Sequence, residues 1–437
     1  MKKIFYLFFM FPLCTMADSD CATTHYVPDY EMTLQDVINL GLCRNPQTAA
    51  AYMALQSARY SKNAAHSVYL PSVSGSANGG RSHTDHEDWD YSASLSASYL
   101  VFDFGKRESD FKETLATYRA AGFDYDETIQ NYIFSLIGDY YALLIADADV
   151  VAAESALTVA QTAKNTADKK FKAGAVAKAD VYKADTNLAS SKLSLERAKN
   201  NRKITMGILL TALSFSADQD IKIKDMPASF GSDTEIENIE ELISIAQKRR
   251  PDLLKANAKT SAAFYRKTSA FLKNLPSFTV NGSVTLNDKT VGGMFENMSA
   301  KVSGKFGVSV SMPIFTGFSN FYNSRAANSD YENAKYMEQS VANDAKLDVF
   351  SAYQNYKTAK TVLDQTKTLL KSAIESERVT SGMYTVGRST MLDWQTAQSE
   401  LVEARKQNNA AKYDLFVKRA AVALAIGDIK SGLKEKQ

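Results

Sequence analysis

Residues 384–394 read YTVGRSTMLDW, and residues 171–181 read FKAGAVAKADV. Both share one pattern: an aromatic residue, two residues, glycine, five residues, aspartate, then an apolar residue. Gly174 and Gly387 each follow a long stretch without proline, from about Phe104 to Phe171 and from about Gly317 to Tyr384. A glycine in the left-handed conformation commonly ends a helix. The pattern therefore predicts two long helices that stop, turn and return. At 1.5 Å per residue, roughly 67 helical residues would make a rod of about 100 Å. Small residues recur every seventh place, at Ala146, Ala153, Ala160 and Ala167, and again at Ala345, Ala352, Ala359, Thr366, Ala373 and Thr380. The returning segments keep the period through Val181, Leu188 and Leu195, and through Trp394, Leu401 and Leu415. A seven-residue period marks supercoiled helices, and small residues let them approach closely.

The twin turns belong to a wider duplication. Asn45-Pro46 recurs as Arg250-Pro251, and Leu70-Pro71-Ser72-Val73 as Leu275-Pro276-Ser277-Phe278, both at an offset of 205 (251 − 46). Further on the offset is 213 (387 − 174), through Gly174/Gly387, Asp180/Asp393, Ala184/Ala397, Leu188/Leu401 and Ala212/Ala425. The expected organisation is a signal peptide over 1–17, an N-terminal segment over 18–32, a first repeat over 33–213 and a linker over 214–237. A second repeat over 238–425 and a tail over 426–437 complete it.

Each repeat carries a β-hairpin, about 72–102 and about 278–315. YSASLSASYLVF (91–102) alternates strictly, with Tyr91, Ala93, Leu95, Ala97, Tyr99 and Val101 on one face and mainly serines on the other. FTVNGSVTL (278–286) and KFGVSVSMPIF (305–315) alternate too, and 72–80 does so weakly. Such alternation predicts strands with one apolar face. Gly105 and Gly317 then supply the corners into the long helices. Strands of about ten residues, apolar outside and Ser/Thr/Asn inside, match transmembrane β-barrel strands. Four strands are too few to close a barrel, because the smallest have about eight. The fold class expected is α+β: long helical hairpins forming an α-barrel, plus a transmembrane β-barrel to which several chains contribute four strands each.

The first residues fit export. Lys2 and Lys3 precede an apolar core from Ile4 to Leu13, and Thr15-Met16-Ala17 offers a cleavage site. Cys14 would leave with that peptide. Cys21 and Cys43 would then meet an oxidising compartment, where a disulfide is expected. A lipid anchor on Cys21, or two free thiols, are the alternatives. The 51 basic and 49 acidic residues nearly cancel, so charge gives no case for nucleic acid.

Taken together, the duplication, the NPQT start, the LPS before each hairpin, the glycine corner after it and the aromatic-x-x-Gly-x5-Asp tips resemble the TolC family of outer-membrane efflux and secretion channels. The resemblance covers nearly the whole mature chain. It implies a homotrimer with a 12-stranded barrel in outer-membrane lipid and a tapering periplasmic α-barrel. It also implies a periplasmic adaptor docked at the tips and an inner-membrane transporter behind it. Carried over by position, the docking tips are Phe171, Gly174, Tyr384 and Gly387, and the gate is Asp180, Tyr384, Asp393 and Arg388. In a trimer Asp393 would form a ring whose mutual repulsion raises its pKa, and Asp180 would accept a hydrogen bond from Tyr384. The sequence departs from the family where a second acidic ring can stand, at Thr396, and Arg388 directly follows the tip glycine.

Other features have simpler readings. RSHTDHEDWD (81–90) contains His83 and His86 but reads as a solvated hairpin loop rather than a metal site. His25 and His66 lack evident partners, and Lys248-Arg249-Arg250 reads as a helix end. Thr390-x-x-Asp393 is also a capping box at a helix start, whereas Ala177-x-x-Asp180 lacks the capping residue. No phosphate loop or hydrolase triad is present, so neither an enzyme nor a bound cofactor is expected. The competing architecture is an exported tether or adhesin whose hairpins lie on a soluble sheet. The cargo, small toxic compounds or a secreted polypeptide, is not written in any motif.

Overall fold

A computed structural model of the chain describes residues 30–83, 87–225, 238–291 and 301–429. Its elements fall into two runs of the same order. The first is α1 (Leu34–Arg44), α2 (Pro46–His66), a 3-10 turn (Ser67–Tyr69), β1 (Ser72–His83), β2 (Glu87–Phe102), α3 (Lys106–Lys172) and α4 (Lys178–Ala212). The second is α5 (Ile239–Arg249), α6 (Pro251–Leu272), β3 (Ser277–Val291), β4 (Lys301–Ser311), α7 (Ser319–Thr385) and α8 (Met391–Ala425).

The two long helices have 67 residues each and their returning partners 35 each. α4 and α8 therefore run beside only the tip-proximal half of α3 and α7. The other half is flanked by α2 and α6. Proline opens both α2 and α6, a position where its missing N–H removes no helical bond.

The heptad alanines are the contact surface, as the period requires. Ala146, Ala153, Ala160 and Ala167 are buried on α3, and Ala345, Ala359 and Ala373 on α7. Where the seam residues are alanines these interfaces are thin, and larger side chains such as Leu195, Leu401 and Trp394 are buried beside them. The main apolar core lies at mid-height, where α3, α4, α8 and the N-terminal segment converge. Tyr140, Tyr141, Leu136, Ile137, Leu209, Leu210 and Met32 are all fully buried there. Tyr140 donates its hydroxyl to the Lys224 carbonyl, and Tyr132 donates to the Ala212 carbonyl at 2.8 Å. Burial pushes the Tyr132 phenol up to about 12. The described part of the expected linker is held down at this core. Ile221 is buried and Ile223 bridges in parallel to Met32.

The four strands form one antiparallel sheet in the order β1-β2-β3-β4. β2 pairs with β3, so the sheet joins the two repeats, and β1 and β4 are its open edges. Two strand expectations need correction. β4 ends at Ser311 rather than 315, because Pro313 has no N–H to continue a ladder. RSH and EDWD are strand rather than loop: His83 pairs with Glu87 in register, and residues 84–86, with His86, lie outside the described residues.

Candidate functional site

Both hairpin tips are built on the same backbone device. Gly174 has φ 73° and Gly387 φ 79°. Gly174 N–H donates to Phe171 O at 2.9 Å and Ala175 N–H to Lys170 O at 2.8 Å. Gly387 N–H donates to Tyr384 O at 3.1 Å and Arg388 N–H to Met383 O at 2.8 Å. This is the paired bonding of a Schellman cap, which satisfies the orphan carbonyls of a helix end. A Cβ placed on either glycine meets no atom within 4 Å, so the requirement is conformational, not steric.

The two tips differ in what surrounds the cap. Phe171 is exposed, whereas the equivalent Tyr384 is 2% exposed. Tyr384 packs with Trp394 at 5.3 Å between ring centres and shares a small apolar cluster with Met391, Ala163, Ala167 and Ala184. Lys170, from the first hairpin, reaches across to it. The Lys170 ammonium stands 4.4 Å from the centre of the Tyr384 ring and donates to the Tyr384 carbonyl. The Tyr384 hydroxyl is buried and meets no hydrogen-bond partner among the described residues. Burial, and then the charge of Asp180, raises its pKa. The expected Asp180–Tyr384 hydrogen bond is thus not made within one chain. The carboxylate is close enough to act on the phenol electrostatically but leaves it unbonded.

Asp393 is occupied at its own helix start. Its carboxylate accepts from Thr390 N–H at 2.9 Å, Thr390 hydroxyl at 2.8 Å and Ser389 hydroxyl at 3.0 Å, while Asp393 N–H donates to Thr390 Oγ1 at 3.2 Å. These bonds, the Thr390 N–H first, lower its pKa. The rise expected from a ring is therefore opposed by the cap in each chain. Asp180 has no such cap, since Ala177 offers no side-chain acceptor, and it stands 3.9 Å from Lys183. Arg388 is exposed.

Sequence reasoning overlooked the residues that tie each return helix to its long partner. Lys164 bridges Asp168 at 3.1 Å and Asp185 of α4 at 2.9 Å. Its repeat equivalent, at the 213 offset, is Glu377, which accepts from Trp394 Nε1–H of α8 at 2.9 Å. The duplication was the signal that could have found them. The hairpins are joined to each other by Gln398, which bonds Asn187 at 3.0 Å and the Ala156 carbonyl at 3.1 Å, and by Arg405 to Ser155 at 2.8 Å.

The sheet leaves apolar side chains exposed. On β2 the apolar Leu95, Tyr99 and Val101 are exposed, while the intervening Ser94, Ser96 and Ser98 are half-buried. On β4 Phe306 is 83% exposed and Val308 66%. The register carries this face across all four strands, for example Gly75, Leu95, Val284 and Gly304. The opposite face is a hydroxyl and amide ladder: Ser74–Ser96 at 2.9 Å, Ser98 to Asn281 at 2.9 Å, and Asn281 to Ser309 at 2.8 Å. Among the described residues, no helix is long and apolar enough to cross a membrane, and no group of metal-ligating side chains occurs. Cys43 is disulfide-bonded; Cys21, its expected partner, lies outside the described residues, as do His25 and the leader.

Comparison with known proteins matches the chain twice to the model of the outer membrane efflux protein family, over residues 37–213 and 242–428. Toxin and drug export protein A of Aggregatibacter actinomycetemcomitans is 22% identical, covering 89% of this chain and 85% of that protein. The outer membrane protein TolC of Vibrio cholerae is 26% identical, covering 72% and 74%. Among solved structures, the outer-membrane channel OprN superposes with a TM-score of 0.79 at 20% identity, covering 90% of each chain. CusC superposes at 0.81 with 17% identity, covering 90% and 92%. These two likenesses establish the fold.

Proposed function

The chain belongs to the outer membrane efflux protein family, and from that membership we propose that it is the exit duct of an efflux pump or of a type I secretion system. The observation that carries the proposal is the exposed apolar face of the sheet. Water would not tolerate it, and lipid would. A soluble tether or adhesin would place the same residues inward, which disfavours that alternative. Three copies, each giving four strands, would close a barrel of twelve with the serine ladder facing a water-filled lumen. The helices would continue the duct about 100 Å into the periplasm.

At the far end the tips at Phe171, Gly174, Tyr384 and Gly387 would dock a periplasmic adaptor, which links the duct to an inner-membrane transporter. Asp180, Tyr384, Asp393 and Arg388 surround the narrow end and form its gate. Names of relatives such as a toxin and drug export protein support export as the task. The proposal is tested by membrane fractionation and by light scattering of detergent-extracted protein. The expected result is outer-membrane protein with a mass near three chains. A soluble protein that needs no detergent, or a stable monomer in it, would overturn the proposal.

A further inference from the structure

We propose that the turn-side half of the barrel wall is an anion-attracting sleeve set by Lys301 and Lys305, so that the duct favours small anionic solutes such as carboxylates, sulfates and phosphates. The proposal rests on the duct reading, because it needs the serine face of the sheet to line water.

On that face, the row through Ser74, Ser96 and Ser283 ends on β4 at Lys305, and the row through Asn287 ends at Lys301. Every other residue of this face whose side chain is described is uncharged. Both lysines are exposed, and they alternate with Val302, Gly304 and Phe306, which point the other way. A strand places successive side chains on opposite faces, so the ammonium groups cannot turn to the lipid side without a register slip. Nearer the turns the register pairs Asp90 with Lys289, and Lys301 and Lys305 lie on rows further from the turns.

Size decides whether this charge matters. Twelve strands spaced about 4.8 Å and tilted about 40° give a circumference of about 75 Å and a backbone radius of about 12 Å. A lysine reaching about 6 Å inward leaves its charge about 6 Å from the axis, inside the ~8 Å screening length at physiological ionic strength. Three chains supply two rings of three such charges, about 13 Å apart along the strand. Their summed potential should favour a monovalent anion over a monovalent cation on the order of tenfold.

Reversal potentials alone would mix this wall with the acidic tips, so the test is local. Ser303→Cys places a thiol between the two lysines on the same face. In the full-length channel reconstituted in liposomes at low salt, one measures its rates of modification by an anionic and a cationic methanethiosulfonate reagent. Each rate is divided by that of a free small thiol, and protein without the new cysteine gives the background. The expected anion-to-cation ratio is on the order of tenfold, falling towards one in Lys301→Gln/Lys305→Gln and at high salt. A ratio that the double substitution leaves unchanged, or a faster cationic reagent, overturns the sleeve while leaving the duct intact. A thiol that neither reagent reaches overturns both, because the serine face then lines no water.

Discussion

Tyr384→Phe removes one oxygen atom and tests how the closed tip is held. In one chain that hydroxyl is buried and unbonded, and a buried hydroxyl without a partner costs about 1–3 kcal/mol. Asp180 already acts on it by charge, and three chains drawn together at the tip would offer such a carboxylate as acceptor. Burial and that charge hold the phenol protonated through neutral pH, so it remains a donor. A hydrogen bond to a charged acceptor contributes about 1.5–3 kcal/mol. The Asp180 side chain is 27% exposed, so the low end applies, about 1.5 per chain and about 4.5 kcal/mol per trimer. At 1.36 kcal/mol per tenfold, that is about a thousandfold in the ratio of closed to open. Phenylalanine keeps the packing on Trp394 and loses only the bond. Planar-bilayer recording should show a raised conductance in Tyr384→Phe, a similar rise in Asp180→Asn, and little further gain in the double variant. Wild-type conductance in all three, with slower hydrogen exchange around residue 384 in Tyr384→Phe, would refute the lock. It would mean that the hydroxyl stays unpaired in the assembly and that its removal merely relieves a cost.

Four further outcomes are expected. At Gly174 or Gly387, with φ near 75° and open space around them, asparagine should retain transport, whereas valine should abolish transport but leave the trimer assembled; light scattering beside an export assay separates these, and unstable valine variants would remove the docking role. Gly41→Ala sets a Cβ 2.6 Å from Leu136 Cδ1 and 2.7 Å from Tyr132 Oη, and thermal unfolding should show a loss of about 1–3 kcal/mol from overpacking. Arg250 is 12% exposed between Asp252 at 2.7 Å and Asp348 at 2.9 Å; Arg250→Met strands a half-buried carboxylate and should cost about 2–3 kcal/mol, discounted for the exposure of Asp348. The lowered pKa of Asp393 means that its cap stabilises α8 fully above the ordinary carboxylate range near pH 4 and loses hold as pH falls through the lowered value; tryptophan fluorescence should report an acid transition that Asp393→Asn abolishes.

What the sequence made legible was governed by local chemistry. The tips could be read from Gly174 and Gly387 because a helix end needs its own residues only, and the long rods from unbroken heptads of small residues. Strand faces were legible for the same reason, since alternation is a property of one strand. The misreadings arose where neighbours decide. RSH and EDWD look like loop by composition, yet pairing of His83 with Glu87 keeps them in the ladder. Asp393 fitted both a ring and a cap in the sequence; the four bonds made by Asp393 with Ser389 and Thr390 show the cap in place. Lys170 gave no signal at all, because its partner carbonyl belongs to the other hairpin, over two hundred residues away.

The two open edges of the sheet govern how such a protein must be made. β1 and β4 each end the ladder with a row of unpaired peptide groups, and in hydrocarbon each unsatisfied group costs several kcal/mol. On the duct reading a lone chain would have no resting place: its apolar face would be unwelcome in water, and its edges would be unwelcome in a bilayer. If that reading holds, insertion and the meeting of subunits would have to happen together, as a single concerted event. Yield should then depend steeply on how many chains are in transit at once, and until they meet each one needs an escort that covers its strands.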